Sequence, residues 1–118
     1  MQKENKYIRQ IIEKLSELNP YRVVLFGSYA DGTLHDDSDI DLLVVTNDDY
    51  FPETFKEKSN LYLSVNSKIR NIAQKVSIDL LVYTLPMYRK FIELESSFSR
   101  EILSKGIILY ESDNKKLA

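Results

Sequence analysis

Three aspartates stand in apolar segments of the β type, where an unpaired charge is unfavourable. Asp39 and Asp41 lie at the start of the run that ends at Val45, and Asp79 lies inside a second such run. Because side chains alternate along a strand, Asp39 and Asp41 are predicted to share one face. Carboxylate oxygens suit magnesium, with substrate phosphates completing the ligand shell. The pair therefore predicts a magnesium site.

Asp79 adds a third carboxylate if its strand lies beside the strand of Asp39 and Asp41. Three carboxylates could hold two ions about 3.5–4 Å apart, the separation used for in-line phosphoryl displacement. Asp79 could then also help to deprotonate an attacking hydroxyl. The alternative for Asp79 is an ordinary charge on an exposed edge strand.

A Gly-Ser pair follows the strand that precedes these aspartates. A glycine turn that opens a helix exposes backbone N–H groups to phosphate, and Ser28 adds a hydroxyl donor. Gly27 and Ser28 therefore predict a triphosphate site. The ordinary roles of a turn glycine and a helix N-cap are compatible with it.

The elements that must position these residues follow from hydrophobic periodicity. The long helix is predicted to bury an apolar face made of Phe55, Tyr62, Val65, Ile69, Ile72 and Val76. Alternating helices and strands predict an α/β domain around a small mixed sheet flanked by helices, and the short polar stretch between the first two strands permits them to pair antiparallel. The predicted elements are a helix over about 3–18, strands over 21–26 and 40–45, a helix from Pro52 to about Val76, a strand over 77–84, helices over 86–94 and 98–104, the second ended by Gly106, and a strand over 107–110.

The whole chain sets outer limits on these hypotheses. Its 118 residues suit one domain, predicted over 1–110, with a flexible tail over 111–118. The net charge is −2 and the basic residues are scattered, so stable nucleic-acid binding is not expected. No apolar run has membrane-spanning length, and there is no cysteine. We expect a cytoplasmic protein.

Gly27-Ser28, ten residues, and then Asp39-Ile40-Asp41 match the G-S-x(10)-D-x-D signature of the DNA polymerase β-like nucleotidyltransferase superfamily. The chain resembles the minimal, single-domain branch of that superfamily over nearly its whole length. The resemblance implies the polymerase β-like fold and metal-dependent transfer of a nucleotide. It also implies that Asp39 and Asp41 are metal ligands, that Asp79 is the third carboxylate, and that Gly27 and Ser28 contact the triphosphate.

Minimal nucleotidyltransferases of this kind are commonly paired with a HEPN ribonuclease toxin and act as its antitoxin. The resemblance thus implies transfer of AMP from ATP to a partner protein, with two Mg²⁺ ions. One alternative is a catalytically silent antitoxin or binding module, for which the hint is Asp31 in a turn where many relatives carry a basic residue. Another is a small-molecule nucleotidyltransferase, which usually needs extra helices or a dimer. The base preference and the oligomeric state stay open.

Overall fold

The computed structural model describes residues 6–27, 30 and 39–112. The predicted helical turn at Ser28 lies outside these residues except for Ala30, which is helical and donates its N–H to the Gly27 carbonyl at 3.0 Å. The alternation of helices and strands is that of the α/β class predicted from the sequence. The elements are α1 (Lys6–Ser16), β1 (Arg22–Phe26), β2 (Ile40–Val45), α2 (Phe55–Ala73), β3 (Ile78–Tyr83), α3 (Leu85–Leu94), α4 (Ser97–Lys105) and β4 (Ile107–Glu111).

The four strands form one mixed sheet in the order β3-β2-β1-β4. β1 pairs antiparallel with both β2 and β4, whereas β2 and β3 are parallel. The antiparallel pairing of the first two strands is therefore confirmed. β2 is buried at every position except Asp41, because it lies inside the sheet and helices cover both of its faces.

Helices cover the sheet in two layers. α1 and α2 pack on one face, and α3 and α4 pack on the other. Alternation places Leu43 and Val45 of β2 and Val24 of β1 toward α3 and α4. The first core consists of Ile11, Leu15, Val23, Leu25, Ile40, Leu42, Val44, Val65, Ile69, Ile72 and Leu80, and the second of Val24, Leu43, Val45, Leu85, Tyr88 and Ile102.

α2 differs from its prediction at both its start and its apolar face. It begins at Phe55 and not at Pro52, because Thr54 and Glu57 form a capping box. The Thr54 hydroxyl accepts the Glu57 N–H at 3.1 Å, and the Glu57 carboxylate accepts the Thr54 N–H at 3.3 Å. The buried face is Leu61, Val65, Ile69 and Ile72, so Phe55 (86% exposed) and Tyr62 (41% exposed) were wrongly assigned to it.

Gly106 ends α4, as predicted, and donates its N–H to the Ile102 carbonyl at 2.8 Å. Its φ of −69° is open to any residue, so space and not conformation requires a glycine. A Cβ there would lie 2.4 Å from the Ile102 carbonyl oxygen and 2.7 Å from Val24 Cγ1. This contact lets the end of α4 pass directly over β1.

β4 extends one residue beyond its prediction and includes Glu111, which the sequence placed in the tail. The Glu111 carboxylate accepts a hydrogen bond from Arg22 of β1 at 2.5 Å. Arg22 also donates to the Tyr88 hydroxyl at 3.1 Å, which ties β4 and α3 to the same strand. Among the helices within the described ranges, none is long and apolar enough to cross a membrane.

The capping box at Thr54 is expected to contribute to the stability of α2. Thr54→Ala removes the acceptor for the Glu57 N–H and should lower the free energy of unfolding by about 1 kcal/mol, measured by urea denaturation. Ser104→Ala is the matched control, because the Ser104 hydroxyl bonds only to carbonyls of its own helix. An equal loss in both variants would contradict a role for the cap.

Candidate active site

The parallel pairing of β2 and β3 brings two of the predicted carboxylates side by side. Asp41 and Asp79 are register partners on neighbouring strands, whose axes lie about 4.8 Å apart. The Ile40 N–H donates to the Ser77 carbonyl at 2.9 Å, so the two strands are paired up to this edge. The condition set for Asp79, a strand next to that of Asp41, is confirmed.

Asp41 and Asp79 also share one face of the sheet. Each lies two residues before a leucine, Leu43 or Leu81, that packs in the core beneath α3 and α4. Alternation along the strands therefore turns both carboxylates toward that face, at the edge where β2 and β3 begin. Asp39 is exposed and precedes β2 by one residue.

The electrostatics of Asp41 reflect this crowding. Burial, followed by the negative charges of Asp79 and Asp39, raises the pKa of the Asp41 carboxyl above its ordinary value. Burial and like charge both disfavour the ionised form. The three predicted carboxylates thus interact through charge, and ionised Asp41 is stabilised by any cation that comes between them.

Gly27 closes the other side of Asp41. Its preceding residue, Phe26, is the register partner of Asp41 across β1 and β2, and Gly27 itself has a φ of +75°. A Cβ on Gly27 would lie 2.1 Å from the Asp41 Oδ2 atom. Glycine is therefore required both by the left-handed backbone and by the approach of the carboxylate. Ser28, the second residue of the predicted triphosphate site, lies outside the described residues.

The donor set fits a hard divalent cation. Asp39, Asp41 and Asp79 supply only carboxylate oxygens, and burial, followed by the charges of Asp79 and Asp39, raises the pKa of the Asp41 carboxyl. Within 6–27, 30 and 39–112, no three acidic, histidine or cysteine side chains already have the spacing to hold one ion. Magnesium does not need such a cage, because it is usually bound by one or two carboxylates together with water and substrate phosphates.

The sequence did not single out Phe26 and Phe98 as neighbours of the carboxylates. Phe26 is half-buried opposite Asp41, and the ring of Phe98, from α4, meets it edge to face with centroids 5.6 Å apart. Phe26 could have been found from its place beside Gly27. Phe98 could not, because its position depends on how α4 packs on the sheet.

A cleft of about 380 Å³ lies elsewhere, on the outer side of α2. It is lined by Phe55, Lys58, Ser59, Tyr62 and Leu63. None of these residues belongs to the predicted site. α2 leads into the start of β3 at its C-terminal end, and Phe55 lies about 27 Å from that end along the helix axis.

Replacing Gly27 tests its contact with Asp41. Gly27→Ala is expected to cost about 1–2 kcal/mol through the left-handed backbone alone, and more through the clash with the carboxylate. The free energy of unfolding in urea measures the loss. Adding Asp41→Ala to Gly27→Ala removes the clash, so the double variant should regain the stability lost to it. Only the cost of the left-handed backbone should remain. Strictly additive effects of the two changes would show that the two residues do not touch.

The raised pKa of Asp41 predicts a pH-dependent stability. A carboxyl with a raised pKa binds its proton more tightly in the folded state, so stability is gained at low pH and lost as pH rises through that pKa. In EDTA at neutral pH, Asp41→Asn should therefore unfold at a higher urea concentration than the parent chain. The difference should shrink toward about pH 4.

Asp49→Asn, which neutralises an exposed carboxylate on the loop after β2, is the control for a general change of net charge. Asp49→Asn should leave the urea concentration at the midpoint of unfolding nearly unchanged. A loss of stability in Asp41→Asn at neutral pH would show that Asp41 has a compensating partner in the folded chain.

Comparison with known proteins supplies independent information. A family model described as a nucleotidyltransferase domain matches residues 8–109. Two relatives from Methanocaldococcus jannaschii bear the provisional name protein adenylyltransferase. One is 29% identical over 112 residues, covering 91% of this chain and 98% of the relative. The other is 35% identical over 88 residues, covering 73% of this chain and 75% of the relative.

Among solved structures, the fold is similar to the crystal structure of a toxin–antitoxin with AMP-PNP. The TM-score is 0.53 at 23% identity, and the match covers 93% of this chain and 77% of the other. The likeness shows a similar arrangement of sheet and helices. With the family model matched over nearly the whole chain, this protein belongs to the nucleotidyltransferase domain family.

Proposed function

We propose that this nucleotidyltransferase transfers AMP from ATP to a hydroxyl group of a partner protein. The observation that carries the proposal is the register of Asp41 with Asp79, directly beside the Gly27 turn. This register places carboxylates that can bind a metal and act as a base next to a backbone turn suited to phosphate. The M. jannaschii relatives support a protein as acceptor, because they bear the provisional name protein adenylyltransferase. This chain covers 98% of the length of one of them.

Each residue has a distinct role in this reaction. Gly27 and Ser28 hold the β- and γ-phosphates through backbone N–H groups and the serine hydroxyl. Asp39 and Asp41 hold Mg²⁺, and Asp79 completes a two-ion site. Bound magnesium supplies positive charge that offsets the negative charge developing on the phosphate oxygens.

Asp79 lies on the outer strand, where an acceptor can approach from solvent. The acceptor hydroxyl gives its proton to Asp79 as its oxygen bonds to the α-phosphorus. The bond from that phosphorus to the bridging oxygen breaks, and pyrophosphate leaves on the side of Gly27. Asp79 then releases the proton to water, so the carboxylate is restored.

We propose a HEPN-type toxin as the partner, which makes this chain an antitoxin of the cytoplasm. One similar structure is that of a toxin–antitoxin with AMP-PNP. Within the described residues, the cleft of about 380 Å³ lies on α2 and not at the edge where β3 begins. An acceptor that brings its own folded surface to the open edge of β3 does not need such a pocket.

Label transfer to the protein encoded beside this one tests the proposal. With labelled ATP and Mg²⁺, that neighbour should become labelled on a hydroxyl side chain, as seen by mass spectrometry. The double change Asp39→Ala and Asp41→Ala should reduce the rate by at least about 100-fold, and EDTA should do the same.

Asp48→Ala with Asp49→Ala is the matched control, because it also removes two neighbouring aspartates, but at the opposite end of β2. It should transfer label at the parent rate. Neutralisation of the neighbour without any label would indicate a silent antitoxin. Label on a small hydroxyl compound and on no protein would indicate a small-molecule nucleotidyltransferase.

A further inference from the structure

Phe98 is a large apolar side chain that the second core leaves partly open. It packs edge to face on Phe26 and on Phe91, with centroids 5.6 and 5.8 Å away, yet remains 42% exposed. It lies at the start of α4, whose N-cap Ser96 accepts the Ser99 N–H at 3.1 Å. Phe98 is thus held on one side by two rings and open on the other.

Phe98 packs on the same face of the sheet as the carboxylates, against Phe26. Asp79, Asp41 and Phe26 are consecutive register partners across β3, β2 and β1. Phe26 packs in the core beneath α3 and α4, so the three side chains share that face. One strand spacing and one ring contact separate Phe98 from Asp41, on the order of 10 Å.

We propose that the ring of Phe98, supported by Phe26, stacks on the base of the donor nucleotide. This inference rests on the proposed function, which puts the β- and γ-phosphates at Gly27 and the α-phosphorus beside Asp79, the register partner of Asp41. A nucleotide held at those points extends its nucleoside over a distance comparable to the gap between Asp41 and Phe98. Of its parts, only the base has a flat apolar face that matches an exposed ring.

Stacking predicts a particular pattern of recognition. Every base has a π-face, so Phe98 strengthens nucleotide binding without choosing one base by hydrogen bonds. ATP and GTP should therefore depend on Phe98 to the same degree. Tripolyphosphate, which has the phosphates but no base, should not depend on it.

The test measures binding of ATP, GTP and tripolyphosphate by calorimetry in Mg²⁺. Phe98→Ala should raise the Kd of ATP and of GTP about 10-fold and leave the Kd of tripolyphosphate unchanged. Phe98→Leu keeps most of the apolar volume beside Phe26 and guards against misfolding, and it should show the same selective loss. Phe98→Trp should keep nucleotide binding, and its indole, the single one in the chain, should change fluorescence with ATP but not with tripolyphosphate.

Phe55→Ala is the matched control. It removes a phenylalanine that is 86% exposed at the far end of α2, and it should bind all three ligands as the parent does. Equal weakening of ATP and tripolyphosphate in Phe98→Leu would overturn the proposal, because the ring would then only support the fold. Unchanged ATP binding with a raised KM for the acceptor would overturn it too, because the ring would then contact the acceptor.

The outcome for Phe98 can be separated from that for the proposed function. A parent chain that binds ATP in a Phe98-dependent way but labels no protein supports the stacking and contradicts protein adenylylation. A parent chain that labels its neighbour and binds ATP independently of Phe98 contradicts the stacking alone. A parent chain that binds no nucleotide contradicts both.

Discussion

Burial of a carboxylate beside two like charges at the start of β2 is the constraint on which the candidate site depends. Asp41 occupies the one position of β2 that is not fully buried, with Asp79 beside it and Asp39 just before it. Burial and these two charges raise the pKa of its carboxyl. Sequences that fold only for stability have no reason to keep such an arrangement, whereas a site that binds a cation and phosphates gains from it, since the ligand supplies the missing charge.

The fold holds this unfavourable arrangement because β2 lies inside the sheet and is packed on both of its faces. Five of its six residues are buried, and helices press on it from both faces. Gly27 completes the confinement, since its backbone passes so close to Asp41 that no side chain fits between them. The apolar packing of β2 thus offsets the electrostatic cost of the carboxylates at its start. The carboxylates are therefore positioned before any ligand binds.

The two faces of the sheet have different tasks. α1 and α2 form the larger core, and their face carries neither Asp41 nor Asp79. The opposite face combines the aromatic layer beneath α3 and α4 with the carboxylates at its open edge. Ring contacts join Phe98 to Phe91 and Phe91 to Tyr88. The Tyr88 hydroxyl in turn accepts a hydrogen bond from Arg22 of β1.

Local pattern determined much of this protein. The bounds of β2, the alternation that groups Asp39 with Asp41, and the succession of helices and strands follow from periodicity and from turn and cap residues, because these depend on neighbours in the chain. Periodicity misjudged Phe55 and Tyr62, since the face that a helix buries is set by what packs against it. The pairing of Asp41 with Asp79, the approach of Gly27 to Asp41 and the arrival of Phe98 at Phe26 were decided by tertiary structure. Each joins residues far apart in sequence, and strand register and helix packing become definite only when the whole core closes.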